Sequence, residues 1–201
     1  MIEIIRVTET HVPRLARVMA RAFLHEPLYE FILPDAATRG DLIALDMGNI
    51  IRYGVLFGEV HTTSDLTGCA VWLLPGETDF TEERGAQANM QEFAKQIGAE
   101  AVKRLDLYTT ASEAAHKRIM PGAHWYLVTI GVDPGFQGQG IGSALISAVL
   151  ARADESQHPV FLETSTPGNV RFYEKRGFTV CCEESLPSDG PTVWYMVREP
   201  K

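Results

Sequence analysis

One stretch constrains this chain more than any other: VDPGFQGQGIGSALI, Val132 to Ile146. It sets Gly135, Gly138, Gly140 and Gly142 within eight positions and then repeats apolar residues at helical spacing. Glycines in such number weaken regular structure, so the segment gives up stability for bare backbone. The apolar run HWYLVTIGV precedes it and reads as a strand. The first amides of the helix behind it have no intrahelical acceptor, and the helix dipole adds positive character there. Strand, glycine turn and helix start together predict an anion cradle of the kind a phosphate occupies. Ile141, Leu145, Ala148 and Val149 are expected to pack that helix on a sheet.

Three phosphate readings compete with a plain, ligand-free glycine turn. A nucleoside-triphosphate loop needs Gly-Lys-Ser/Thr, but Gly142 runs directly into Ser143 without a lysine, which excludes it. A dinucleotide fingerprint needs Gly-x-Gly-x-x-Gly. Gly138 and Gly140 are followed by Gly142 one position early, with Ser143 in the place of the third glycine. Glu163, near the end of the next strand, imitates the ribose-binding acid, so a nicotinamide-dependent oxidoreductase stays open. The third pattern, Gln/Arg-x-x-Gly-x-Gly/Ala after a strand, is met in full by Gln137 to Gly142.

The remaining chain reads as a mixed α/β protein. IEIIRV is a strand. The following helix turns Leu15, Val18, Met19, Ala22 and Phe23 to one side. EPLYEFILPD is a proline-bounded turn, and the segment from Ala37 to Gly58 is a helix closed by glycine. EVHTTSDLTGCAVWLLPGE is a hairpin. Residues 81–120 read as two helices, with Thr81 as an N-cap and Gly98 as the divider. PVFLETST is a strand, GNVRFYEKRG a short helix, and FTVCCEESL with TVWYMVRE a closing hairpin. Strand–helix–strand order predicts a parallel pair, and the hairpin an antiparallel one.

Composition narrows the function classes. A length of 201 residues fits one domain. The net charge of −8 argues against nucleic acid as a partner. The longest apolar runs are too short to span a bilayer, and the charged N-terminus is not a signal peptide. Cys69, Cys181 and Cys182 have neither metal-ligand spacing nor an even count, and the histidines show no paired spacing. No metal is implied, and a reducing, cytoplasmic setting is the expectation. In a strand, Cys181 and Cys182 are expected to face opposite sides.

GVDPGFQGQGIGSALI resembles the acetyl-CoA site of the GNAT superfamily of N-acetyltransferases, and NVRFYEKRGF resembles that superfamily's second signature. HWYLVTIGVDP, FLETSTPGNVRFYEKRGF and PTVWYMVRE are similar to puromycin N-acetyltransferase-like members. This closer likeness covers about His124 to Arg198. The resemblance implies an α/β (α+β) GNAT fold: a mixed central sheet of about six to seven strands, with a splayed parallel pair, flanked by helices. It implies one domain over 1–201, with an acceptor-side half at 1–123 and an acetyl-CoA core at 124–198.

The resemblance also implies site residues. Ile130, Gly131 and Val132 take the pantetheine arm. The amides of Gln137, Gly138, Gln139, Gly140, Ile141, Gly142 and Ser143 hold the pyrophosphate. Asn169 lies near the pantetheine or simply caps the short helix. Tyr173 assists the departing sulfur, while Phe172 beside it is core. The amide of Val132 is expected to polarise the thioester carbonyl. Glu163 faces the cofactor gap, where it takes a proton or orients the amine, or is only a polar strand end. For the acceptor pocket Glu26, Tyr29, Asp35, Trp72 and Tyr108 are candidates, because acidic and aromatic groups suit a cationic aromatic amine. His124 only flanks the functional strand. The expected activity is acetyl transfer from acetyl-CoA, as cosubstrate, to a primary amine of a small molecule, such as an antibiotic or other xenobiotic amine, in a ternary complex. The alternatives are a catalytically idle acyl-CoA sensor and a protein N-terminal acetyltransferase. The expected partners are acetyl-CoA and the amine, without nucleic acid or membrane, on a monomer or homodimer.

Overall fold

The computed structural model describes residues 2–201. Short β1 (Ile4–Arg6) leads into α1 (Val12–Phe23), which Pro13 opens and which buries Leu15, Val18 and Met19. Next come α2 (Pro27–Ile32) and the long α3 (Ala36–Phe57). The Asp35 carboxylate caps α3 by accepting from the Ala37 amide at 3.0 Å, and Gly58 ends it. β2 (Glu59–Thr63) and β3 (Gly68–Leu73) form the expected hairpin. Three helices follow: α4 (Glu82–Gln87), α5 (Gln91–Gln96) and α6 (Ala99–Ile119). The second half is β4 (Trp125–Val132), α7 (Ile141–Glu155), β5 (Val160–Thr164), α8 (Pro167–Glu174), β6 (Thr179–Ser185) and β7 (Thr192–Arg198).

The strands make one seven-stranded sheet in the order β1-β2-β3-β4-β5-β7-β6. Every neighbouring pair is antiparallel except β4 and β5. β3 is buried along its whole length because helices cover both of its faces, α1 and α3 on one and α7 on the other. This sandwich puts Trp72 at 0% exposure, packed among Leu145, Ile146 and Trp125.

The structure corrects four sequence expectations. EPLYEFILPD contains a helix, not a turn. The Glu26 side chain accepts the Leu28 and Tyr29 amides and so starts it. Residues 81–120 hold three helices, since the chain breaks at Ala88–Met90, where Asn89 takes φ 60°. Gly98, at φ 77°, divides the second from the third as expected. Ala148 is exposed; α7 packs through Ile141, Leu145, Ile146, Val149, Leu150 and Ala153. Cys181 is an extra residue in β6, because pairing with β7 jumps from Val180 to Cys182. Cys181 is exposed there, and Cys182 is half-buried.

Candidate active site

β4 and β5 are paired at one end only, through Trp125–Val160 and Tyr126–Phe161. Beyond Tyr126 the register of β4 against β3 shifts, with Trp72 opposite Leu127 and Val71 opposite Thr129. Val128 is therefore the extra residue of a bulge. A bulge bends its strand and increases the local twist, which carries the end of β4 away from β5. Leu162, Glu163 and Thr164 keep their pairing with β7 but have no partner in β4.

The β3–β4 register fixes which backbone groups face this gap. The Asp133 amide donates to the Thr67 carbonyl at 2.9 Å. Antiparallel ladders alternate, so Gly131 and Thr129 bond β3, while Ile130 and Val132 direct their backbone groups to the opposite edge. Ile130 and Val132 thus present peptide groups to the gap, where a pantetheine arm would add as a strand. Gly131 plays a different part from its neighbours. A Cβ there would stand 2.8 Å from Met19 Sδ and 2.9 Å from Phe23 Cε2, so glycine lets α1 close on the sheet.

The glycine turn follows directly. Asp133 accepts from the Gly135 amide at 3.1 Å and from Arg21 of α1, which anchors the turn. The Gln137 side-chain amide donates to the Val132 carbonyl at 3.1 Å. Gly138 and Gly140 lie at φ 76° and 83°, the left-handed region that side chains disfavour. Gly140 is the N-cap of α7, and the first helical bond runs from the Ala144 amide to its carbonyl. The amides of Ile141, Gly142 and Ser143 precede that bond and have no intrahelical acceptor. Residues 134–140 are exposed. Arg176, which the sequence reading missed, donates to Ser143 Oγ and stacks 3.5 Å above the Phe172 ring. It brings a guanidinium to the same helix start. The pyrophosphate of acetyl-CoA fits these donors, with Arg176 adding charge.

This arrangement makes one residue testable now. Gly140→Val forces a β-branched side chain to positive φ at a cost of about 2 kcal/mol, tilting the first turn of α7. The KM for acetyl-CoA is expected to rise about tenfold or more, with the amine KM unchanged, in steady-state thiol-release kinetics.

Tyr173 and Glu163 stand on opposite faces of the sheet beside the gap. Tyr173, on α8, is buried in the cluster with Leu162, Phe172 and Phe178. Burial raises its phenol well above the ordinary value, with the Glu163 carboxylate adding to the shift. Phe172 is only partly buried, and its ring packs near Gly142.

Glu163 lies on the face of Tyr126 and Phe161. It accepts the Tyr126 hydroxyl at 2.6 Å and the Tyr108 hydroxyl at 3.2 Å, both on Oε1. Its Oε2 is closed off from solvent and has no partner among the described residues. Burial raises the carboxyl to about 7, against the lowering effect of the two tyrosines.

The acceptor candidates separate cleanly. Glu26 accepts Ser165 Oγ at the end of β5, and burial lifts it to about 7. Tyr29 is buried and donates to Asp46 at 2.5 Å, with Asp46 raised by burial to about 6. Tyr108 joins Glu163, as above. Asp35 is instead an exposed helix cap with a lowered pKa, held there by the Ala37 amide. Trp72 is core. Neither borders the gap. Asn169 is the third residue of α8 and not its cap; it donates to Thr164 Oγ1 at 3.2 Å, on the β5 side of the gap. His124 is buried against His116, with its Nδ1 2.6 Å from the Gly122 carbonyl, and burial lowers its pKa. Sequence reading also missed Asp46 and Ser165, for which no local motif exists. Among the described residues no group of three or more His, Cys, Asp or Glu could hold a metal ion. No helix there is long and apolar enough to cross a membrane.

Residues 108–178, which include β4, the glycine turn, α7, β5 and α8, match the acetyltransferase (GNAT) family model. The chain is an acetyltransferase of the GNAT fold. Over 98% of its length it is 24% identical to an uncharacterized N-acetyltransferase of Schizosaccharomyces pombe, of which it covers 83%. Among solved structures, a Corynebacterium glutamicum protein described as histone acetyltransferase HPA2 and related acetyltransferase superposes with a TM-score of 0.68. The identity is 21%, with coverage of 100% of this chain and 98% of that one. Drosophila melanogaster polyamine N-acetyltransferase gives a TM-score of 0.65 at 16% identity, with 99% and 100% of the two chains covered. The GNAT family works with acetyl-CoA, and at these identities the structural neighbours speak for the fold of this acetyltransferase.

Proposed function

We propose that this GNAT-fold protein transfers the acetyl group of acetyl-CoA to a primary amine of a small molecule, by direct attack in a ternary complex. The observation that carries this reading is the half-open β4–β5 gap, with the free edge of β4 and the glycine turn along it, Tyr173 on one face and Glu163 on the other. Residues 1–201 act as one unit: 124–198 bind acetyl-CoA, and 1–123 bring α1, α2 and α6 to the acceptor side.

Ile130 and Val132 pair with the pantetheine through their backbones, and the amides of Gln137 to Ser143 take the pyrophosphate. The Val132 amide donates to the thioester carbonyl oxygen as charge gathers there. The amine nitrogen loses a proton to Glu163, a C–N bond forms and the C–S bond breaks. Tyr173 donates a hydrogen bond to the departing sulfur. Its raised pKa makes full proton transfer to a thiol of ordinary pKa about 8.5 steeply uphill, so the phenol keeps its proton.

The related Drosophila enzyme is described as acting on polyamines, which supports an amine acceptor. The likeness of His124–Arg198 to puromycin N-acetyltransferase-like proteins supports a small-molecule acceptor over a protein N-terminus. Three unpaired cysteines suit the cytoplasm. The test is thiol release from acetyl-CoA across an amine panel, with mass spectrometry locating the acetyl group. Binding of acetyl-CoA without turnover of any amine would favour an idle sensor.

A pH profile follows from Glu163. As a base it must be ionised, and burial holds it at about 7. kcat/KM is expected to fall as the pH drops through about 7. Glu163→Gln removes that limb and lowers the rate at higher pH about tenfold. An unchanged limb in the variant would take Glu163 out of the proton path.

A further inference from the structure

Glu163, Glu26 and Asp46 are three half-buried carboxyls with no cation to balance them. Among the described residues, none of the three forms an ion pair with a Lys, Arg or His. Their partners are hydroxyls and amides: Tyr126 and Tyr108 on Glu163, Ser165 with the Leu28 and Tyr29 amides on Glu26, and Tyr29 on Asp46. Burying a carboxylate this way is unfavourable unless an opposite charge arrives, so each group sits with a raised pKa. One atom is left over. Glu163 Oε2 is inaccessible to water and unpaired, although both tyrosines crowd onto Oε1. A buried oxygen in that state is a position built for a donor that the chain itself does not supply.

The two glutamates are also in line. Glu26 is fastened to Ser165, two residues beyond Glu163 and just past the end of β5. Tyr108 donates to Glu163 at 3.2 Å, and the charge of Glu26 also raises its hydroxyl. Asp46 stands behind Glu26, joined to it through Tyr29, whose amide and hydroxyl bridge the two. A monoamine satisfies one glutamate and leaves the other buried and neutralised by a proton. An acceptor with a second ammonium group ionises both, and each charge-assisted hydrogen bond is stronger than the neutral contact it replaces.

We infer that the acceptor is an aliphatic diamine or longer polyamine, with one nitrogen on Glu163 facing the thioester and a second ammonium group on Glu26. This rests on the acetyltransferase reading above. The test compares putrescine and cadaverine with butylamine and pentylamine, which match them in chain length and lack the second charge. kcat/KM for putrescine is expected to exceed that for butylamine by about a hundredfold, chiefly through KM, as one buried charge pair is worth about that much. Glu26→Gln is expected to collapse the ratio toward one. Calorimetric titration of both amines into the CoA-bound wild type reads the same preference without turnover, so the answer does not depend on the variant folding. Equal affinity and equal kcat/KM for the two amines in the wild type would overturn the inference, as would a ratio that survives Glu26→Gln. Turnover of butylamine without preference for putrescine would do so while leaving the acetyltransferase standing. Tight, selective putrescine binding with no thiol release would sink the acetyltransferase reading and keep the dication site.

Discussion

Replacing Tyr173 with phenylalanine is expected to lower kcat about a hundredfold while leaving the Kd of acetyl-CoA within about twofold. The substitution removes one oxygen and keeps the ring, so the T-shaped contacts to Phe172 and Phe178, 5.2 and 5.6 Å between centroids, survive. No backbone or side-chain group among the described residues claims the hydroxyl, so its loss leaves no protein atom unsatisfied. The hydroxyl matters only when sulfur carries charge, and an interaction made only in the transition state lowers kcat and not binding. Rapid-mix measurement of the first turnover, with acetyl-CoA binding followed separately, checks both halves. A variant with wild-type kcat would remove Tyr173 from the mechanism. A large rise in Kd would instead make it a wall of the thioester pocket.

Asp154→Ala is expected to cost about 3 kcal/mol of stability, the lower end for breaking a buried ion pair. Arg198 is 4% exposed and makes a two-pronged contact with Asp154, at 2.8 and 2.7 Å. The same carboxylate accepts the Lys201 amide at 2.9 Å. Alanine leaves that guanidinium buried without its counter-charge. In a chain of this size the melting temperature should fall by about 9 °C. The carboxyl is held at about 2, below its ordinary 3.8, with the Arg198 hydrogen bonds as the largest cause. Its folded pKa is depressed, so its stabilisation is complete above about pH 4 and is lost as the pH falls toward 2. Urea titrations at pH 7 and pH 3 test this, since the difference between wild type and variant should shrink in acid. The pair joins the end of α7 to β7, and β7 holds Glu163 opposite Tyr195. The variant is therefore also expected to lose activity on warming sooner than the wild type.

Legibility in the sequence followed the range of the interaction. The glycine turn was readable because its cause is local: positive φ at Gly138 and Gly140 and free amides at a helix start need nothing from elsewhere in the chain. The β2–β3 and β6–β7 hairpins were readable for the same reason, with turn residues set between apolar runs. Local cues also misled. Pro27 and Pro34 made EPLYEFILPD look like a turn, yet Pro27 opens a helix, where its missing amide is harmless and Glu26 caps the rest. Likewise, apolar periodicity named Ala148 as a packing residue, but the sheet meets α7 one row over, through Ile146 and Leu150.

The cluster proposed for the acceptor side was the least legible part. Glu26 meets Ser165 across 139 positions, and Tyr108 meets Glu163 across 55. Before folding, an acidic residue outside a motif looks the same whether it only caps a helix, as Asp35 does, or also reaches across the fold to a strand end, as Glu26 does. What the sequence by itself determined was the order of the strands and the glycine turn ahead of α7, because hydrogen-bond supply and backbone freedom are properties of a few adjacent residues. Only the tertiary structure decided that β4 bends at Val128, that Ile130 and Val132 are left facing an open gap, and that the carboxyls of Glu26, Asp46 and Glu163 gather without a cation. Strand divergence and burial arise from how helices dock on a twisted sheet, and the energy of a charge depends on what that docking excludes.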